Sequence, residues 1–345
     1  MTDKIKRINE IRAQLGDELL ILAHHYQKDE IVALADSIGD SLKLAQVAEK
    51  NKTAKYIVFC GVHFMAETAD ILTEDGQIVL LPALGSGCPM ADMADRKQVE
   101  RAWKIITAEF GDSITPVTYV NSKAEVKAFC GVHDGTTVTS GNAEKVLKWA
   151  LSAKDRVLFL PDKNLGTNTA VDLGIPLEHM ALYSPKTEEL TYTCPKEAVK
   201  MILWDGYCFV HHSIKEETVA KVKKENPNAK IAVHPECRYD LCKLVDGKGS
   251  TEYLINTVKN SEKDSTWVIG TEINLVNRLI KENPDKNVSI LDTNSVCANM
   301  NKTTVDNLLE TLEGILKGDF SHRITVDKQT AEEAVKSLDT MLSLS

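Results

Sequence analysis

Short runs of aliphatic and β-branched residues recur along the chain, and longer stretches with helical spacing of apolar positions lie between them. The runs are LLILAHH, YIVFCG, QIVLLP, TPVTYVN, TTVTS, RVLFLP, MILWDG, KIAVHP, TWVIGT and VSILDT. Their nearly continuous apolar character, in alternation with helices, predicts mainly parallel sheets covered by helices on both faces. Residues 1–16 read as an amphipathic helix. Residues 305–345 read as two helical patterns separated by Gly318 and Asp319, packing back on the body.

The pattern repeats with a period near one hundred residues. The first strand of each third ends at His24, Asn121 and His234, and a small hydroxyl-bearing turn follows at Ser41, Ser140 and Ser250-Thr251. A second strand ends at Gly61, Pro161 and Gly270, and a later strand runs into a turn holding Cys88, Cys208 and Cys297. The first legs are 17, 19 and 16 residues, the second 20, 21 and 20, and the last 27, 47 and 27. The middle unit therefore carries about twenty extra residues, placed near 171–193, where Pro and Gly breaks suit an inserted excursion. The expected architecture is α/β: three similar α/β units with mainly parallel sheets, spanning 1–112, 113–226 and 227–345. The boundaries fall at the turn-rich Gly111-Asp112 and Asn226-Pro227-Asn228, and the last unit includes the C-terminal helices.

Composition narrows the function. The 345 residues, 43% of them hydrophobic, suit a well-buried globular protein and exclude a disordered, collagenous or mini-protein chain. Lys and Arg total 41 against 50 Asp and Glu, a net charge of −9. No basic cluster exceeds Lys223-Lys224, so neither nucleic acid nor an anionic membrane is expected as partner. The N-terminus lacks the apolar stretch of a signal peptide. The longest near-apolar run, 78–84, contains Pro82 and is far short of the roughly 20 residues of a membrane span. A cytoplasmic location follows, where the eight cysteines are not expected to form disulfides.

The repeat sorts those cysteines. Cys88, Cys208 and Cys297 occupy one equivalent position, at the carboxyl end of a strand, where open α/β sheets place ligand-binding loops. Three thiolates brought to one axis match three corners of a four-iron four-sulfur cubane and leave one iron open as a Lewis acid. Structural zinc prefers close Cys pairs, whereas these ligands are 120 and 89 residues apart. Three buried cysteines acting as small hydrophobes are the plain alternative.

Twelve collinear motifs resemble the quinolinate synthase family: AHHYQ, GDSLKLA, FMAETADIL, GCPMADM, YVNSKAEVKA, TSGNA, LPDKNLG, WDGYCFVHH, HPEC, GST, GTEINLVNRL and VCANMNKTT. The resemblance implies a triangular enzyme of three pseudo-threefold-related α/β/α three-layer units around one central [4Fe-4S] cluster per chain. It condenses iminoaspartate (iminosuccinate) with dihydroxyacetone phosphate and releases phosphate and two waters. The product, quinolinate, is the pyridine precursor of NAD. The resemblance also implies cluster ligands Cys88, Cys208 and Cys297, with His24, Ser41, Tyr119, Val120, Asn121, Ser140, His234, Pro235, Glu236 and Thr251 binding substrate and Tyr26 in the site. An L-aspartate oxidase or dehydrogenase would hand over the imine.

Residue chemistry supports that assignment. Each hydroxyl turn is expected where a helix starts, so side-chain oxygen and free backbone N–H groups face one anion. Each such Ser alone is an ordinary N-cap. Glu236 is the candidate general base, for proton abstraction next to a carbonyl, ketose–aldose isomerisation and two dehydrations. His24 and His234 suit carboxylate or phosphate, Tyr26 and Tyr119 proton transfer, and Asn121 a carboxylate. The identical tetrapeptides at 60–63 and 130–133 fall at different points of the repeat, and Cys194 lies in the insertion. Cys237 and Cys242 form a conceivable redox pair, and His211-His212, directly after the Cys208 turn, suit a supporting or structural role more than a place in the cavity wall. Asn294 and Leu291 replace the C-x-x-C pair that some members of the family carry near the third ligand. Another three-cysteine cluster enzyme of similar architecture, or a non-enzymatic binder of phosphorylated metabolites, remains an alternative.

Overall fold

The computed structural model describes residues 2–345. Three sheets carry the fold, and the same order of four strands recurs in each. The first comprises β1 (Leu19–His24), β2 (Ser37–Gly39), β3 (Tyr56–Cys60) and β4 (Ile78–Leu80), ordered β2-β1-β3-β4 and wholly parallel. The second comprises β5 (Ile114–Tyr119), β6 (Thr136–Val138), β7 (Arg156–Leu160), β8 (Met180–Ser184), β9 (Glu189–Thr191) and β10 (Met201–Trp204), ordered β6-β5-β7-β10-β8-β9. The third comprises β11 (Lys230–Val233), β12 (Gly247–Lys248), β13 (Thr266–Gly270) and β14 (Asn287–Ile290), ordered β12-β11-β13-β14 and again parallel. The sequence pattern thus predicts the α/β class and the parallel sheets that are observed.

The residues that lengthen the middle repeat form β8 and β9 at the sheet edge. β8 pairs parallel with β10, and β9 returns antiparallel with Leu182 opposite Thr191. Inner strands are buried along their whole length in β3 and β5, as expected of strands covered on both faces. The shared plan reaches individual bonds. The Asp36 carboxylate accepts from Ile21 N–H at 2.7 Å in the first sheet, and that of Asp246 accepts from Ile231 N–H at 2.8 Å in the third.

The chain forms two compact units: residues up to 88 with Cys297–Lys328, and Pro89–Val296 with Gln329–Ser345. In the first, the N-terminal helix Thr2–Leu15 and the helix Val305–Lys317 bury Ile8, Ile11, Leu308 and Leu312 against Ile21 and Val58. A capping box between Thr304 and Asn307 starts the second of these helices, and Gly318, at φ 71°, ends it.

In the second unit the helix Arg96–Phe110 packs Val99, Ala102, Ile106 and Phe110 with Leu158, Ile202 and Trp204 of the second sheet. It precedes the turn at Gly111-Asp112, yet its apolar face belongs to the sheet that follows. The last helix, Lys328–Ser343, lies against the second sheet, where Thr136 Oγ1 donates to the Ser337 carbonyl at 3.1 Å and Ser337 Oγ to that of Lys127 at 3.0 Å. The C-terminal helices thus pack with the first and second sheets although they follow the third in sequence. Among the described residues no helix is long and apolar enough to cross a membrane.

The last helix docks only because Gly131 lacks a side chain: a Cβ there would lie 2.0 Å from the Glu333 carbonyl oxygen. Gly131→Ala is therefore expected to lower the apparent Tm by several degrees, through overpacking of about 1–3 kcal/mol, and to open 328–345 to limited proteolysis. Wild-type Tm and protease resistance would contradict this packing.

Candidate functional site

In each sheet the strand on the far side of the second long strand (β4, β10, β14) leads into a loop bearing one of the three repeat cysteines. The carbonyl two residues before the cysteine accepts a hydrogen bond from the first residue of the helix that follows the preceding strand. His63 N–H donates to Ser86 at 2.8 Å, Lys163 N–H to Gly206 at 2.9 Å and Ile273 N–H to Ser295 at 2.8 Å. Helix-initial N–H groups have no partner within the helix, so each loop satisfies one and is itself fixed. A tight turn recurs beside each bond: Gly87 N–H to Gly85, Gly206 N–H to Trp204 and Val296 N–H to Asn294, at 3.1, 2.8 and 2.7 Å. Gly206 is required at its place, since a Cβ would meet the Pro161 carbonyl oxygen at 2.4 Å. Cys88, Cys208 and Cys297 are thus presented by loops of one construction.

Burial separates these cysteines from most others. Cys88, Cys208 and Cys297 are partly exposed, whereas Cys60, Cys130, Cys237 and Cys242 are buried. Burial pushes the Cys60 and Cys242 thiols up to about 12, and those of Cys130 and Cys237 well above the ordinary range. Metal ligation needs thiolates, which such thiols do not readily supply. Cys194, the fifth, packs against the core of the second sheet. Three accessible soft ligands on matching loops fit an iron–sulfur cluster.

The second unit gathers an acid–base cluster at the carboxyl ends of its parallel strands, where ligand sites form in open α/β sheets. Tyr119 ends β5, and Cys208 and His211 follow β10. His234 and Glu236 follow β11, and Thr271 follows β13. The Glu236 carboxylate is almost wholly buried. Its Oε1 accepts from the Tyr119 hydroxyl at 2.7 Å, and its Oε2 lies 2.7 Å from His211 Nδ1, whose Nε2 is 3.0 Å from Thr271 Oγ1. Cys208 Sγ, a His211 ring nitrogen and a Glu236 oxygen lie within 4.8 Å of one another, an arrangement that could hold a metal ion.

Burial pushes the Glu236 carboxyl up. The adjoining His234 and His211 and the hydrogen bonds from His211 and Tyr119 outweigh it, so the group ionises below the ordinary carboxylate range. Burial pushes His234 down to about 3, leaving a neutral imidazole. Its Nδ1 accepts from the Glu236 N–H at 3.4 Å, which assigns the ring proton to Nε2. Asp162, capping the helix Lys163–Asp172, is raised well above the usual range by burial and the Glu236 charge.

The first unit repeats the histidine arrangement, with His24 Nδ1 accepting from Tyr26 N–H at 3.1 Å and the two rings edge-on. The hydroxyl turns differ from expectation in detail. Ser41 is the first residue of its helix and Asp40 the cap, while Ser250 caps the helix that Thr251 begins. Ser140 lies in a turn ahead of the helix Ala143–Ala153, because Asn142 folds back to accept from Thr139 N–H at 2.8 Å. Asn121 Oδ1 is buried without a hydrogen-bond partner, Val120 is buried, and the Pro235 carbonyl is held by Asn168. The cluster therefore unites Tyr119, His234 and Glu236 with Cys208. His24, Tyr26, Ser41, Cys88 and Cys297 belong to the first unit.

Residues 6–343 match the family model described as Quinolinate synthetase A protein. The chain belongs to the quinolinate synthase family. It is 52% identical over 339 residues to the quinolinate synthase of Anoxybacillus flavithermus, covering 98% of this chain and 92% of that one. The Listeria monocytogenes serotype 4b quinolinate synthase is 52% identical over 344 residues, covering 99% and 94%. A Bacillus cereus quinolinate synthase is 52% identical over 341 residues, covering 99% and 93%. The chain is thus an enzyme. Within this quinolinate synthase framework, His211, expected in a supporting or structural role, contacts Glu236 directly, and Asn164 and Asn168, not among the expected site residues, hold the loop that carries it. The available signal for the asparagines was a pair of amides four residues apart on the buried face of a helix.

Alkylation of the metal-free protein under reducing conditions is expected to modify Cys88, Cys208, Cys297 and Cys194 well before Cys60, Cys130, Cys237 and Cys242. Peptide mass spectrometry reads the order, and early labelling of the buried four would contradict the division.

Proposed function

We propose that this enzyme condenses iminoaspartate with dihydroxyacetone phosphate to give quinolinate, phosphate and two waters, in the biosynthesis of NAD. We further propose that Cys88, Cys208 and Cys297 hold one [4Fe-4S] cluster. When bound, such a cluster has one iron without a protein thiolate and supplies Lewis acidity toward a substrate carbonyl or hydroxyl. An L-aspartate oxidase or dehydrogenase would supply the unstable imine. We place the enzyme in the cytoplasm, where a reducing environment keeps cysteines available as metal ligands.

The observation that carries this reading is the Glu236 carboxylate, ionised and buried between Tyr119 and His211 beside Cys208. Carbon–carbon bond formation needs a proton taken from carbon next to a carbonyl, and Glu236 is the group placed to take it. Tyr119 Oη already shares a hydrogen bond with that carboxylate and can pass the proton on to a leaving hydroxyl. Neutral His234, with its proton on Nε2, donates to a substrate carboxylate or phosphate without adding charge, and His24 has the matching backbone contact. Tyr26, edge-on to His24, is the corresponding hydroxyl of the first unit. Asn121, its amide oxygen unpartnered, offers an acceptor for a substrate N–H or O–H and an amide donor for a carboxylate. Ser41 and Thr251 stand at helix starts, where backbone N–H groups and hydroxyls favour anions, and Ser140 adds a turn hydroxyl. Val120 and Pro235 supply backbone walls beside these groups.

Glu236→Gln preserves shape and removes the base. Quinolinate formation from the two substrates is expected to fall by about 10²–10⁴-fold in kcat at unchanged cluster content. Full turnover by this variant would remove Glu236 from the mechanism.

A further inference from the structure

We propose that Asn168 and Asn164 are positioning residues that set the place of the Glu236 carboxylate, an inference that rests on Glu236 being the general base. Both amides lie on the helix Lys163–Asp172, four residues apart and hence on one face, and both are buried. That face meets the loop after β11 at three consecutive carbonyls. Asn168 Nδ2 donates to Pro235 and to Cys237, each at 2.8 Å, and Asn164 Nδ2 donates to Glu236 at 3.1 Å.

None of the backbone–backbone bonds described uses these carbonyls. The loop's own backbone contacts are Cys237 N–H to the His234 carbonyl at 3.0 Å and Glu236 N–H to His234 Nδ1. Sulfur adds only a 3.5 Å contact from Cys242 Sγ to the Cys237 carbonyl. Nor does the helix need the amides for its own start, since the Asp162 carboxylate already accepts from Asn164 N–H at 2.7 Å and Leu165 N–H at 2.9 Å. A buried amide inside a helix is unfavourable unless its hydrogen bonds are made. Here the Asn168 donors are spent on the loop, and the Asn164 amide is shared between the Glu236 carbonyl and His212 Nδ1, 3.1 Å away.

The base is consequently held at both ends. Tyr119 and His211 fix the carboxylate oxygens, and the asparagines fix the backbone from which the side chain springs. Removing the second restraint lets the loop move while leaving the polar partners of the carboxylate in place. A displacement near 1 Å is enough to cost on the order of 10²-fold in rate.

The test compares Asn168→Ala in the wild-type enzyme and in the Glu236→Gln enzyme, both prepared with cluster in the absence of oxygen. It reads kcat per cluster, KM for dihydroxyacetone phosphate and iron content. Alone, Asn168→Ala is expected to lower kcat by about 10–100-fold, with KM within about threefold and iron unchanged. In the Glu236→Gln background the further loss is expected to stay within about twofold, because the residue acts through a group already removed. Unchanged kcat per cluster, or an equal loss in both backgrounds as a merely structural role would give, overturns the proposal. Should Asn168→Ala not fold, Asn164→Ala removes the bond to the Glu236 carbonyl together with the 3.1 Å contact to His212 Nδ1, and a loss of about 5–10-fold confined to the wild-type background is expected. Its absence is equally decisive against the proposal. Wild-type turnover by Glu236→Gln by itself would instead refute the base assignment, and is read without either asparagine variant.

Discussion

The first N–H of the helix after each second long strand donates to the carbonyl two residues ahead of a cysteine, and this bond is made at 2.8, 2.9 and 2.8 Å in the three sheets. A helix start must place its N–H groups somewhere, and a loop leaving the adjacent parallel strand is the nearest source of carbonyls. Satisfying that requirement with backbone rather than side chains makes the cysteine loops similar despite different sequences: Ser86-Gly87-Cys88, Gly206-Tyr207-Cys208 and Ser295-Val296-Cys297. The longer middle leg does not disturb the arrangement. Its extra residues leave and return at the edge beyond β10, as β8 and β9, so that β10 still enters its loop beside β7.

The same strand ends impose the electrostatics of the acid–base cluster. Burying a carboxylate is costly unless donors replace its water, and Glu236 has Tyr119 and His211 in that role. Asp162, equally buried and close enough to feel the Glu236 charge, is driven the other way and favours its protonated form. Two buried carboxyls with affinities for protons pushed apart are a familiar basis for dividing acid and base duties. The neutral His234, stacked on His211 with ring centroids 4.6 Å apart, adds a donor without adding charge.

Much of this was legible in the chain, and the rest for identifiable reasons was not. The ten apolar runs correspond to the inner strands β1, β3, β5, β7, β10, β11 and β13 and to the edge strands β4, β6 and β14, because burial on both faces demands continuous apolar sequence. β2 and β12 escape because Ser37-Ile38-Gly39 and Gly247-Lys248 contain no apolar run. β9, with Glu189 and Thr191 exposed, carries no apolar signature. Spacing alone aligned Cys88, Cys208 and Cys297, and HPEC supplied His234 and Glu236. His211 was discounted since nothing in FVHH says which ring turns inward; the four-residue helix Phe209–His212 buries His211 and leaves His212 half-exposed. Ser140 resembled a helix start because its TSGNA context does not reveal that Asn142 takes over the local donors. The packing partners of the C-terminal helices depend on side chains distant in sequence, such as Lys127 and Thr136, and no local pattern encodes them.

The most direct measurement is iron and sulfide analysis with electron paramagnetic resonance on protein prepared without oxygen, for the wild type and for single Cys→Ser variants at 88, 194, 208 and 297. The proposed ligation of one cluster by the three loop cysteines predicts about four irons per wild-type chain, loss of the cluster in the variants at 88, 208 and 297, and full retention at 194. A wild-type chain without iron, or an intact cluster after replacement of any one of the three loop cysteines, would contradict the account.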